Sequence, residues 1–118
     1  MITNTDMDQV FAALSHTSRR RMLDLLRDQP GLAVGELAAK FDVTRIAVMN
    51  HIKVLEDARL VISEQDGRSR RLYLNAAPIH AIYDRWTDTF SAHWLDRVSI
   101  IKSVAEATAT KTKKEPNS

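Results

Sequence analysis

The chain has 118 residues, 44% of them apolar, which suits one small domain with a modest core. Its formal net charge is +2, and it contains no cysteine, which excludes disulfides, thiolate metal sites and thiol nucleophiles. Its apolar stretches fall far short of the roughly 20 residues of a bilayer span, and MITNTDMDQV lacks a basic-then-apolar signal pattern, so a soluble cytoplasmic protein is expected.

The first predicted element is a helix over residues 6–15, where Met7, Val10, Phe11 and Leu14 keep a one-sided helical spacing. A second follows at once, with Thr17 or Ser18 to cap it, Met22, Leu23, Leu25 and Leu26 on its apolar side, and Pro30-Gly31 to end it. A third covers 34–41 with Leu37, Ala38 and Phe41 inward. After Asp42-Val43 a fourth starts at Thr44 and runs to Arg59. Two short helices joined by about three residues, the second opened by a threonine cap, have the spacing of a helix-turn-helix.

At about 100° per residue, Val48, Ile52, Leu55 and the stem of Arg59 share one side of the fourth helix, flanked by Ala47, His51 and Ala58. The opposite side presents Ile46, Met49, Asn50, Lys53 and Asp57, with Arg45 in the first turn. Large apolar residues pointing outward are out of place on a helix that needs only solubility. In a DNA major groove, Ile46 and Met49 meet thymine methyl groups and Asn50 suits adenine; the alternative is that they cover a neighbouring helix.

Beyond Leu60 the pattern alternates. Residues 61–65 and 71–75 read as two strands around Asp66-Gly67-Arg68-Ser69, a β-hairpin. Residues 16–75 hold eleven basic against eight acidic side chains, and Arg68, Arg70 and Arg71 gather at this hairpin. Beside a recognition helix such a hairpin is a wing whose arginines reach phosphates or the minor groove; standing alone it would be a solvated basic turn.

The last helix opens near Pro78 and carries Ile79, Ile82, Tyr83, Trp86, Phe90, Trp94, Ile101 and Val104 on one side, with His93 and Arg97 inside the stripe. A small winged domain cannot cover so long an aromatic stripe alone, and a second copy would bury it. The rival is an effector pocket lined by Trp86, Phe90 and Trp94. The expected fold is mainly α with a β-hairpin wing (α+β), a winged helix-turn-helix in the order α-α-α-α-β-β-α. Residues 1–104 form the expected DNA-binding and dimerisation domain, and 105–118, rich in lysine, an expected disordered tail.

With these elements in place the chain resembles the ArsR (arsenic-repressor-like) winged-helix regulators of bacteria over residues 8–100. The resemblance is carried by residues 14–26, LSHTSRRRMLDLL, by Val34-Gly35-Glu36-Leu37-Ala38, and above all by residues 47–61, AVMNHIKVLEDARLV. It implies a homodimer built on the first and last helices, adding Phe11 and Leu14 to Ile79, Ile82, Tyr83, Trp86, Phe90, Trp94 and Ile101 as interface residues. It also implies that two recognition helices enter successive major grooves of an inverted repeat in double-stranded DNA, and that the protein represses transcription. Thr44, Arg45, Ile46, Met49, Asn50 and Lys53 are the expected reading residues, with Arg68, Arg70 and Arg71 on the wing.

The chain departs from the family pattern in several places. His16-Thr17 stands where the family has Asp-Pro. Arg59 takes a left-handed position usually filled by glycine, which lengthens the helix or strains its end. Ala33 and Gly35 stand where metal-sensing members carry two cysteines, and His80, His93 and Asp96 only partly echo a second metal site, so no metal is expected. No Ser/His/acid set, paired carboxylates, glycine-rich phosphate loop or HExxH occurs among residues that include only three glycines, so neither an enzyme nor a cofactor is expected. The alternatives are a winged-helix protein-interaction module, and a repressor gated by a small-molecule effector or metal.

Overall fold

Thr3 has an extended backbone and accepts the Asp6 amide on Oγ1 (3.0 Å), while the Asp6 carboxylate accepts the Thr3 amide (3.2 Å). This reciprocal cap opens α1 (Asn4–Leu14), and the Thr3 side-chain hydrogen bond is the main reason the Asp6 carboxyl lies below the usual carboxylate value. The protein is seen here as a computed structural model describing residues 2–87, 97 and 100–107. After α1 come α2 (Thr17–Asp28), β1 (Leu32–Ala33), α3 (Val34–Ala38), α4 (Arg45–Asp57), β2 (Val61–Asp66), β3 (Ser69–Leu74) and α5 (Ala77–Thr87).

The expected helices and hairpin are present, with corrections at their edges. α1 buries Met7, Val10 and Ala13, and leaves Phe11 48% exposed, so the inward face is turned toward Ala13. Neither Thr17 nor Ser18 caps α2. His16, extended at φ −110, accepts the Ser18 amide on Nδ1 (3.2 Å), and Thr17 is already helical. α3 stops at Ala38 rather than residue 41. Lys40 and Phe41 instead donate to the carbonyls three residues back, on Leu37 and Ala38 (3.1 Å each), a tighter turn that ends the helix early.

One element was not foreseen. β1 pairs antiparallel with β3, Leu32 opposite Leu72 and Ala33 opposite Arg71, giving a three-stranded sheet ordered β1-β3-β2. Gly31 makes this possible. At φ +88 its backbone enters a region that side chains disfavour, and its N–H donates to the Leu72 carbonyl (2.8 Å). β2 and β3 pair in register from Val61–Leu74 to Asp66–Ser69, and Gly67, at φ +63, makes the two-residue turn with Arg68.

The core draws on every helix from α1 to α4 and on the sheet. Val10, Met22, Leu26, Leu37, Val48, Ile52, Leu55, Leu60 and Leu72 are its most enclosed side chains. Leu14, Phe41, Leu74 and Ile82 pack on it while partly exposed. The chain divides into two compact units, Met1–Tyr83 and Asp84–Ser118. In the second, residues 100–107 are helical, so helix continues past Ala105, where the sequence placed the start of the tail. Phe90, His93, Trp94 and Asp96 lie outside the described residues, as do residues 108–118. No described helix is long and apolar enough to cross a membrane.

Candidate nucleic-acid interface

α4 is anchored at both ends. Thr44 accepts the Ala47 amide on Oγ1 (3.1 Å), as the sequence suggests, and Val48, Ile52 and Leu55 are buried. At the other end the Leu60 amide donates to the Leu55 carbonyl and the Arg59 amide to the Glu56 carbonyl, both at 2.9 Å. These are the two bonds of a Schellman motif, and the residue at its left-handed position is Arg59, at φ +63. The helix therefore ends before Arg59, which is exposed rather than packed along its stem. Asn75 secures the corner, its Nδ2 donating to the Arg59 carbonyl and its amide to the Leu60 carbonyl, both at 2.8 Å.

The outward side of α4 carries the residues that the sequence assigns to it. Ile46 is 73% exposed and Met49 43%, and Arg45, Asn50 and Lys53 are exposed beside them. Neither Ile46 nor Met49 is part of the core. Lys53 and Asp57 form an exposed pair at 3.5 Å, which salt would weaken.

The wing arginines, alike in sequence, differ in structure. Arg70 reaches back to α4 and pairs with Glu56, the two side chains 36% and 24% exposed. Arg71 donates Nε to Asp66 (2.9 Å) and Nη1 to the Gly31 carbonyl (3.0 Å), tying the hairpin to the turn before β1. The Asp66 bond is the main cause of a guanidinium held more strongly protonated than usual. Arg68, at the turn, is exposed and makes no ion pair among the described residues. Arg45, Met49, Arg68, Arg70 and Arg71 line one groove of about 590 Å³ together with Ser69 and residues 33–36. The start of α4 and the wing thus bound a single basic surface.

Sequence reasoning missed the supports behind this surface. Arg19 donates Nε to the Ala13 carbonyl (2.8 Å) and Nη2 to the Ala12 carbonyl (3.2 Å), and its Nη1 meets Nδ1 of His51 at 3.1 Å. Arg21 lies over the Phe41 ring, 4.7 Å from its centre, and donates to the Lys40 carbonyl (3.3 Å), holding the turn that leads into α4. The run Arg19-Arg20-Arg21 was the available signal, but helical spacing does not say which of its members turn inward.

Of the expected interface residues in the first unit, Phe11, Ile79 (39%) and Tyr83 (59%) are exposed, whereas Leu14 and Ile82 are half-buried on their own core. In the second, Trp86 (57%) and Ile101 (65%) are exposed. Phe90 and Trp94 are not among the described residues. His80 is exposed and stacks on Tyr83, and among the described residues no three His or acidic side chains gather as metal ligands would.

Comparison with known proteins agrees with this geometry. A family profile described as a helix-turn-helix domain matches residues 14–64. The uncharacterized HTH-type transcriptional regulator YuzN of Bacillus subtilis is 36% identical over 72% of this chain and 99% of its own length. The transcriptional repressor SdpR of the same organism is 29% identical over 52% of this chain and 68% of its own. The structure of an ArsR-like transcriptional regulator from Rhodococcus sp. RHA1 is 31% identical and superposes with a TM-score of 0.64 over 87% of this chain and 93% of that one. Fold and likeness together define a winged helix-turn-helix transcriptional regulator that binds DNA. The chain belongs to the ArsR family, and its lack of cysteine agrees with the members that carry no cysteine metal site.

Proposed function

We propose that the protein is a cytoplasmic homodimeric repressor that reads an inverted-repeat operator with α4. The observation that carries the reading is the outward face of α4: Arg45, Ile46, Met49, Asn50 and Lys53 stand exposed on a helix fixed at both ends. Apolar contact with thymine methyl groups and a bidentate amide on adenine are what such a face can make in a major groove. Arg68 supplies a phosphate contact from the wing, while Arg70 and Arg71, held by Glu56 and Asp66, shape the groove that receives the backbone.

The exposed apolar residues Phe11, Ile79, Tyr83, Trp86 and Ile101 support pairing with a second copy, and SdpR, a named repressor, supports the direction of control. Residues 1–104 act in this reading as one DNA-binding and dimerising domain, with no catalytic step. Selection from a random pool of duplexes with the purified protein tests it. The expected product is an inverted repeat with half-sites about 10 base pairs apart centre to centre, the spacing two-fold symmetric helices impose. A pool that stays random contradicts the proposal.

A further inference from the structure

Two imidazole rings meet behind the reading face, and both are used as acceptors. His16 and His51 lie with ring centres 4.5 Å apart. Nδ1 of His16 accepts the Ser18 amide that starts α2. Nδ1 of His51, on α4, faces Nη1 of Arg19 at 3.1 Å. A guanidinium only donates, so this Nδ1 must offer its lone pair, and the His51 proton belongs on Nε2. Through the same guanidinium, Arg19 binds the Ala12 and Ala13 carbonyls at the end of α1. One side chain therefore ties α1, α2 and α4 together, and its grip on α4 depends on a neutral ring.

An imidazolium has two N–H groups and no acceptor. Protonation of His51 removes the Arg19 bond and places a third cationic or cationisable group beside Arg19 and His16. α1, α3, β2 and, through the Arg70–Glu56 pair, β3 also pack against α4, and the charges that act on the ring are those of His16 and Arg19. On α4 itself the nearby charges are already paired, Glu56 with Arg70 and Lys53 with Asp57.

We propose that Arg19 and His51 are positioning residues that hold α4 in its DNA-reading pose while His51 is neutral, so that mild acidification weakens specific DNA binding. Asn50, next to His51, and Met49 are the reading residues displaced when the joint opens. The proposal rests on α4 being the DNA-reading helix. Burial first, then His16 and Arg19, hold the imidazolium of His51 below the usual histidine value of 6.5. The folded protein thus binds fewer protons than the unfolded chain. The stability this group contributes is complete above about pH 6.5 and is lost as pH falls through the depressed value.

The test compares affinity for a duplex recovered by selection at pH 7.5 and 5.5, at fixed salt, for the wild type, His51→Asn and His16→Asn/His51→Asn. Asparagine offers an oxygen close to where Nδ1 stood and does not titrate. Wild-type affinity should fall several-fold on acidification, toward the limit of about tenfold that one unit of difference in proton affinity between the two poses gives, and both variants should flatten the fall. Affinity that rises on acidification, as protonated rings approaching phosphates would produce, overturns the proposal, as does a fall that persists in both variants. If the variants do not fold, ¹⁵N NMR of the wild type decides it: the Nε2–H tautomer at pH 7.5 supports the joint, and the Nδ1–H tautomer overturns it. The NMR needs no DNA, so a protein without sequence preference would defeat the operator reading and leave the joint separately testable.

Discussion

Single side chains on α4 divide the work of recognition. Asn50 and Arg45 are exposed and outside the core, so replacing either by alanine should leave the melting temperature unchanged and weaken specific binding by about 1–3 kcal/mol. Binding to variant duplexes should show relaxed preference at one base pair, and an even loss over all duplexes would assign these residues to phosphate instead. Sequence alone treats Arg68, Arg70 and Arg71 as equals. Their partners separate them, because opposite charge on Asp66 and Glu56 occupies two of the three. Arg68→Ala should weaken binding to every duplex alike and reduce the salt slope of log K by about one. Arg70→Ala should instead cost about 1 kcal/mol of folding stability by leaving Glu56 half-buried and unpaired, read as a shift in denaturation midpoint.

At the scale of elements, what was legible depended on periodicity and caps. α4 is plain in the sequence because Val48, Ile52 and Leu55 repeat with the helical period and Thr44 is a strong cap. The hairpin is plain because the alternation surrounds Asp66-Gly67. β1 has two residues, too few for any period, and is defined only by its pairing with Leu72 and Arg71. The cap of α2 escaped because histidine lies outside the usual capping residues, and its Nδ1 serves only when the ring sits over the first turn. Arg59 stands where glycine is usual, and its φ of +63 shows the left-handed backbone that position requires. Arg59→Gly should stabilise the fold by about 0.5–1 kcal/mol, relief of the left-handed side chain exceeding the entropy that glycine loses on folding. Denaturant titration reads this directly, and a lower midpoint would mean that the Arg59 side chain contributes more than its backbone costs.

For the whole molecule, the question is how one small winged domain gains enough affinity to occupy an operator. A single reading helix makes few contacts, and two half-sites engaged together multiply their effect. The exposed Ile79 and Tyr83 are where the account places part of that pairing. Tyr83→Glu, at a side chain that is 59% exposed, should shift sedimentation from dimer toward monomer and weaken operator binding together. A shift in neither would place the pairing surface elsewhere. The central claim concerns α4, and it is tested most directly by Ile46→Ala/Met49→Ala/Asn50→Ala, with wild-type melting behaviour as the control for folding. The measurement is the ratio of Kd for the selected duplex to that for a scrambled one, across salt. The wild type should prefer its site by about 10³-fold or more, and the variant should lose that preference while keeping salt-dependent binding to both duplexes. A variant that still prefers the selected duplex as strongly as the wild type would contradict the account.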